Sequence, residues 1–223
     1  MNKQNIAAFF DCDGTLTPYT MVHYYLFMNV VKLTGFKKLL FLLKEGIFVP
    51  FYFLLDKLST NLFNDIFHKK YKGFDYEKLC KDYNDAFELR IKDRIFNDMK
   101  KDIDRYKKQG FHIVIISGSP DIVIEPIAEY LGADKYYTRS LEVKDGIVTG
   151  RLKSNFMKRM KKDKAIFDYT KQHNIDLSKS YAYGDSSHDI AMFNLVGNPF
   201  VVNGSDKLQA LARTKKWNTI HPS

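Results

Sequence analysis

Residues 6–17 read IAAFFDCDGTLT: an apolar run, two aspartates one residue apart, and a glycine. The five apolar residues 6–10 are long enough for a buried strand and too short for a helix. A chain that leaves a parallel strand does so at the carboxyl edge of the sheet, where open α/β sheets bind ligands. The sequence therefore predicts a first strand that brings Asp11 and Asp13 to a binding cleft.

Three later stretches have the same short apolar pattern: 111–116 (FHIVII), 181–183 (YAY) and 199–202 (PFVV). Between and after them, apolar residues have helical spacing at 97–109, 120–131, 163–173, 188–196 and 206–213. An alternation of helix and strand is typical of an α/β fold with a doubly wound, mainly parallel sheet. This is the fold class that we predict.

Two segments depart from the alternation. Residues 18–90 are rich in Tyr, Phe and Leu at helical spacing, and we predict an inserted α-helical cap there, with the α/β core formed by 1–17 and 91–223. Residues 141–152 (LEVKDGIVTGRL) alternate apolar and polar side chains around Asp145 and Gly146. An Asp-Gly pair suits a two-residue turn, which predicts a small β-hairpin.

The composition narrows the class of protein. A chain of 223 residues with 45% hydrophobic and 15% aromatic content can build a core, so intrinsic disorder is excluded as the main state. Only Cys12 and Cys80 are present, too few for a disulfide scaffold or a thiolate zinc site, and the cytoplasm suits such a chain. Apolar runs at 6–10 and 46–55 are too short for a signal peptide or a membrane span. The net charge of +9 favours anionic partners.

A second pair of acids, Asp185 and Asp189, follows the predicted strand 181–183. Either pair could simply cap a turn or a helix. If both loops meet at one sheet edge, however, their carboxylates repel one another unless a cation lies between them. Oxygen ligands favour Mg²⁺. A calcium loop of the EF-hand type is excluded because Gly14 is the fourth residue of the motif and not the sixth.

Two further groups are candidates for holding a phosphate. Ser117, with the backbone N–H groups of Gly118 and Ser119, precedes a predicted helix, and helix N-termini bind anions. Lys164 could neutralise the transferring group, although a single lysine in the basic run 151–164 more often belongs to a solvated face.

Four segments taken in order, DCDGTLT (11–17), IISGS (115–119), DKAIF (163–167) and GDSSHD (184–189), resemble the motifs of the haloacid dehalogenase superfamily of aspartate-nucleophile phosphatases. The insertion and the hairpin resemble its phosphoserine phosphatase-like branch. The resemblance implies a Rossmann-like core, Asp11 as nucleophile, Asp13 as acid and base, and Ser117 and Lys164 as phosphate holders. It also implies a Mg²⁺ ion bound by Asp11, the main-chain carbonyl of Asp13, and Asp185, with Asp189 supporting these ligands.

The match is incomplete around the substrate. Phosphoserine phosphatases commonly have an acidic residue nine positions after the nucleophile, where this chain has Thr20, and Ser186 and His188 replace the usual Gly and Asn of the fourth motif. Phosphoserine is therefore not favoured, although Arg90 or Arg94 could meet an acidic group.

The sequence thus predicts a Mg²⁺-dependent phosphomonoester hydrolase that forms an aspartyl-phosphate on a small organic phosphate. One alternative is a lipid-phosphate phosphatase at an anionic membrane surface, since residues 18–55 contain four lysines (Lys32, Lys37, Lys38 and Lys44) and one acid, Glu45. Another is a non-catalytic anion- or nucleic-acid-binding protein that uses 151–164, where Phe156 and Met157 are interleaved with basic residues. A nucleic-acid partner is not expected because the full set of catalytic residue types is present.

Overall fold

The computed structural model describes residues 3–153 and 162–223. Six parallel strands form one sheet in the order β3-β2-β1-β6-β7-β8, and β4 and β5 form a separate antiparallel hairpin. The strands are β1 (Ala7–Phe10), β2 (His112–Pro120), β3 (Lys135–Arg139), β4 (Leu141–Lys144), β5 (Ile147–Leu152), β6 (Tyr181–Gly184), β7 (Asn198–Val202) and β8 (Asn218–Ile220). The predicted fold class and all four predicted core strands are confirmed.

Helices cover both faces of the sheet and fill the interval between β1 and β2. They are α1 (Met21–Lys32), α2 (Gly35–Leu58), α3 (Thr60–Phe67), α4 (Tyr76–Ala86), α5 (Asn97–Lys108), α6 (Asp121–Leu131), α7 (Lys162–His173), α8 (Ile190–Phe193) and α9 (Asp206–Lys215). Helices α5 to α9 lie where the apolar spacing predicted helices.

The centre of the sheet is where its winding reverses. From β1 the chain adds β2 and β3 on one side, and β6, β7 and β8 extend the other side. Every residue of β1 is fully buried, and Phe10, Tyr183 and Phe200 stack across three adjacent strands at 4.6 and 4.7 Å between ring centroids. Apolar and aromatic contacts therefore fix the carboxyl ends of β1 and β6 side by side, at the position where such sheets bind ligands.

The insertion consists of α1 to α4 and contacts the loop that follows β1. Tyr24 of α1 places its hydroxyl 2.7 Å from Thr17 Oγ1, and one continuous apolar cluster runs from the sheet into the insertion. The division into a core of 1–17 and 91–223 and a cap of 18–90 stays a prediction. Among the described residues, no helix is long and apolar enough to cross a membrane.

The hairpin turns where the sequence predicted it. Asp145 and Gly146 have φ values of 50° and 78°, the positive values that a two-residue turn of this type requires. The segment before α4 pairs with β5, because Val148 exchanges backbone hydrogen bonds with Gly73 and Phe74. The hairpin is thereby attached to the insertion.

Candidate active site

The loop after β1 is wound tightly around a single carbonyl group. The backbone N–H of Asp11 still donates to Tyr183 O of β6 at 2.9 Å, so Asp11 keeps the register of the sheet. The carbonyl of Cys12 then accepts the N–H groups of Thr15, Leu16 and Thr17 at 2.9 to 3.3 Å. The turn holds Asp11 and Asp13 at the sheet edge, and Asp11 is only 5% exposed.

Gly14 makes this turn possible for two reasons. Its φ is +79°, a region that residues with a side chain rarely adopt. A Cβ atom at this position would also lie 2.3 Å from Asp185 Oδ2, on the loop after β6. The glycine therefore allows the two acid-bearing loops to approach each other.

Replacing Gly14 with alanine is expected to destabilise the protein by about 1–3 kcal/mol through backbone strain and to reduce activity by displacing Asp185. The loss of stability would be measured by thermal and urea denaturation. Gly73→Ala is the matched control, because Gly73 has a similar φ of +84° and open space around the added Cβ. A Gly14→Ala variant that is no worse than the control in both stability and activity would contradict the close approach.

Lys162, the first residue of α7, joins two of the carboxylates. Its Nζ lies 2.6 Å from Asp11 Oδ1 and 2.6 Å from Asp189 Oδ1, and the lysine side chain is 15% exposed. Burial alone would lower the pKa of Lys162, but the charges of Asp11 and Asp189 outweigh burial and raise it. Lys162 is therefore a fixed positive charge at the base of the cleft.

The structure places Lys162 beside Asp11, and the phosphate-holding role of Lys164 stays a prediction. Lys164 is exposed, and its backbone N–H donates to Asp163 Oδ1 at 2.8 Å, whereas Lys162 contacts Asp11. Periodicity could have found the difference. Ala165 and Ile166 are buried, and a residue three or four positions before them lies on the same helix face, which is the position of Lys162.

Asp189 supports the loop after β6. One of its carboxylate oxygens, Oδ2, accepts the N–H groups of Asp185 and Ser186 at 3.1 and 3.0 Å, and the Oγ of Ser186 at 3.0 Å. The other oxygen accepts from Lys162. Because both oxygens are occupied and the side chain is fully buried, Asp189 fits the supporting position that was predicted for it.

Asp11, Asp185 and Asp189 each offer an oxygen within 4.8 Å of the others, a spacing that suits one cation. Burial is the main cause that raises the pKa of Asp11 well above its usual range. The charge of Lys162 lowers this pKa, and the nearby carboxylates raise it. Burial and the charge of Asp189 are the main causes that raise the pKa of Asp185 to about 7. One lysine does not balance this cluster of acids, so the donor set fits a hard divalent cation.

Two serines of β2 hold Asp13. Ser117 Oγ donates to Asp13 Oδ2 at 2.8 Å, and Ser119 Oγ lies 2.9 Å from both oxygens of the same carboxylate. The N–H of Ser119, which the sequence suggested as a phosphate donor, donates instead to Ser117 Oγ at 3.0 Å. Gly118 is exposed at this edge. Sequence reasoning missed the Ser119 hydroxyl, although its spacing of two from Ser117 on a strand predicts a shared face.

The residues at which the sequence departs from the family pattern lie before α1 and after β6. Thr20 is the N-cap residue of α1, and its N–H and Oγ1 lie 3.2 and 3.0 Å from His23 Nδ1. Burial lowers the pKa of His23, which favours the neutral ring. His188, Arg90 and Arg94 are exposed.

This fold and site define a class of protein. The sheet reverses its winding at β1, where an aspartate pair, a lysine and a second acidic loop meet, and the family model for haloacid dehalogenase-like hydrolases matches residues 8–194. The chain belongs to the haloacid dehalogenase-like hydrolases, as the four motifs predicted.

Curated relatives match parts of the chain. A phosphoserine phosphatase of Methanocaldococcus jannaschii is 34% identical over 95 residues, which is 43% of this chain and 45% of that protein. An inhibition of morphological differentiation protein of Streptomyces azureus is 35% identical over 124 residues, or 55% and 44% of the two chains. This chain therefore spans less than half the length of either relative. A probable phosphatase of Mycobacterium tuberculosis is 27% identical over 98% of this chain and 76% of its own length.

Solved structures share the fold over nearly the whole chain. A Bordetella pertussis protein of unknown function superposes with a TM-score of 0.79 at 17% identity, covering 99% of both chains. A phospho-aspartyl intermediate analogue of phosphoserine phosphatase superposes with a TM-score of 0.68 at 21% identity, covering 98% of this chain and 93% of the other. At these identities the likeness concerns the fold, and it extends to the helical insertion.

Proposed function

We propose that this chain is a Mg²⁺-dependent phosphomonoester phosphatase that works through an aspartyl-phosphate on Asp11. The observation that carries the proposal is the meeting of Asp11, Lys162, Asp185 and Asp189 at the winding reversal of the sheet. Relatives named phosphatases and the structure of a phosphoserine phosphatase intermediate analogue support it.

Each of these residues has a chemical task in the proposal. The free carboxylate oxygen of Asp11 attacks phosphorus, while Lys162 orients its partner oxygen and offsets the negative charge of the transferring group. Asp13 donates a proton to the departing alkoxide and later takes one from the water that cleaves the acyl phosphate. Ser117 and Ser119 hold the Asp13 carboxylate in place for both steps.

The proposed magnesium site consists of Asp11, the main-chain carbonyl of Asp13, and Asp185. A bound Mg²⁺ would supply charge neutralisation for the substrate phosphate. Asp189 would fix the loop that carries Asp185 through its bonds to the N–H groups of that loop.

Replacing Asp189 with asparagine is expected to weaken Mg²⁺ binding about 10- to 100-fold, because residues that orient metal ligands have effects of this size. Isothermal titration calorimetry with MgCl₂ measures this directly. Asp176→Asn is the control, since Asp176 precedes β6 and its carboxylate bonds to Ser178. Equal Mg²⁺ affinity in the wild type and in Asp189→Asn would contradict the supporting role.

We further propose a small organic phosphate as substrate and the cytoplasm as its compartment, where the free cysteines Cys12 and Cys80 would remain reduced. Thr20 stands nine positions after Asp11, where phosphoserine phosphatases commonly have an acid for the substrate ammonium group, so phosphoserine is disfavoured. In the non-catalytic alternative the basic run 151–164 binds nucleic acid. Residues 154–161 of that run, with Phe156 and Met157, lie outside the described residues, and Lys162 contacts Asp11.

The decisive experiment is a measurement of phosphate release, with and without Mg²⁺, from amino-acid, sugar, nucleotide and lipid phosphate esters. We expect Mg²⁺-dependent turnover with a preference for one class. Soaking crystals with beryllium fluoride and Mg²⁺ should place the fluoride complex on an Asp11 oxygen. Absence of release from every ester, together with salt-dependent binding of nucleic acid, would favour the non-catalytic alternative.

A further inference from the structure

Helix α2 carries apolar side chains on the face that points away from the protein. Seven large residues recur every three or four positions along one side of the helix, and each is at least half exposed, from 50% at Phe51 to 77% at Phe36 and Ile47. We call these residues the α2 stripe: Phe36, Leu40, Leu43, Ile47, Phe51, Leu54 and Leu58. From its first to its last residue the stripe extends about 33 Å along the helix.

The side of α2 that faces the protein also carries apolar residues, so both sides of the helix are apolar, which is unlike an ordinary surface helix. Glu45 is 3% exposed, and both its carboxylate oxygens accept hydrogen bonds from Lys70 Nζ, at 2.6 and 2.8 Å. Tyr52 and Leu55 are buried on the same side. Helix α2 therefore packs on the rest of the protein through residues outside the α2 stripe. An exposed apolar face of this length marks a site of interaction.

The charges around the α2 stripe indicate which kind of surface it meets. Lys37 and Lys44 are exposed on one flank of the stripe. Lys32 pairs with Asp82 at 2.7 Å, and the single acid of residues 18–55, Glu45, is buried and paired with Lys70. An apolar face bordered by exposed lysines, on a chain of net charge +9, complements an anionic lipid surface.

We propose that α2 lies in the plane of an anionic bilayer surface, with the α2 stripe inserted among the lipid chains and Lys37 and Lys44 at the headgroups. The docking does not depend on which phosphate ester the cleft hydrolyses. It is distinct from the active site, because no residue of the α2 stripe belongs to the cluster of Asp11, Lys162 and Asp185.

Co-sedimentation with vesicles tests the proposal on the full chain. The wild type should bind vesicles of phosphatidylcholine mixed with phosphatidylglycerol, and bind phosphatidylcholine alone more weakly. The double variant Ile47→Glu with Leu54→Glu should lower the partition coefficient roughly tenfold or more, because the contacts of two aliphatic side chains with the lipid chains are lost. Leu89→Glu, which changes an exposed leucine outside α2, is the matched control and should bind like the wild type.

Two double lysine substitutions test the contribution of the positive charges to lipid binding. Lys37→Gln with Lys44→Gln should weaken binding to the anionic vesicles by roughly fivefold per lysine, while Lys78→Gln with Lys81→Gln, an equal change of charge on α4, should have little effect. Circular dichroism and thermal denaturation establish that all variants are folded.

Two kinds of result would overturn the proposal. One is a wild type that fails to bind anionic vesicles at low salt, or a double glutamate variant that binds them as well as the wild type. The other is a wild-type dimer that the glutamate variant converts to a monomer, with no vesicle binding by either, which would assign the α2 stripe to self-association. Phosphate release from a soluble ester is measured in parallel, so failure of lipid docking is distinguishable from failure of the proposed activity.

Discussion

Replacing Asp11 with asparagine is expected to lower kcat by roughly 10⁴- to 10⁶-fold, the size of effect seen when a covalent nucleophile is removed. An amide oxygen is a poor nucleophile toward phosphorus, and Asp189, which also contacts Lys162, has both carboxylate oxygens engaged in hydrogen bonds. The fold should survive because asparagine has the same size and Lys162 keeps its contact with Asp189 at 2.6 Å.

The measurement is Mg²⁺-dependent phosphate release from the best ester of the panel, with thermal denaturation to confirm that the variant is folded. Asp168→Asn, an exposed aspartate on α7, is the control and should retain full activity. Substantial turnover by a folded Asp11→Asn protein would remove Asp11 from the role of nucleophile.

Replacing Lys162 with methionine is expected to lower kcat about 10²- to 10³-fold, because a fixed donor aimed at developing negative charge is lost. The same change should destabilise the protein by about 3–5 kcal/mol near neutral pH, since Asp11 and Asp189 lose their buried partner. Denaturation in urea measures the second effect.

The stability deficit of Lys162→Met should depend on pH in a defined direction. Lys162 lowers the pKa of Asp11, so its removal raises that pKa further above the value in the unfolded chain. A carboxyl group with a raised pKa in the folded state opposes folding at high pH and ceases to do so once it is protonated in both states. The difference between variant and wild type should therefore shrink as the pH falls.

Lys164→Met is the matched control for this experiment. Lys164 is exposed on the same helix, so its replacement should leave kcat close to the wild-type value. Loss of activity in Lys164→Met together with normal activity in Lys162→Met would restore the assignment made from the sequence.

A structural feature could be predicted from the sequence when the residues that form it lie close together in the chain. The strands at 6–10 and 181–183 were predictable because a short apolar run after a turn is a local signal, and the same is true of the Asp145-Gly146 turn. The contact of Lys162 with Asp11 was not predictable from the local sequence, because Lys162 and Lys164 belong to one basic run and differ only in the helix face on which they lie. The bond from Ser119 to Asp13 joins residues that are 106 positions apart in the chain, so only the tertiary structure reveals it.

The sequence by itself determined the fold class, the family and the two acid-bearing loops, since these depend on residue type, order and local periodicity. Tertiary structure decided which lysine lies beside Asp11, that Asp189 supports the loop of Asp185, and which side of α2 is exposed. The aromatic and aliphatic residues of α2 are equally compatible with a buried helix and an exposed one, because periodicity reports that a helix has faces but not what covers each face. Only the packing of Glu45 and Tyr52 inward shows that the opposite side, the α2 stripe, faces outward.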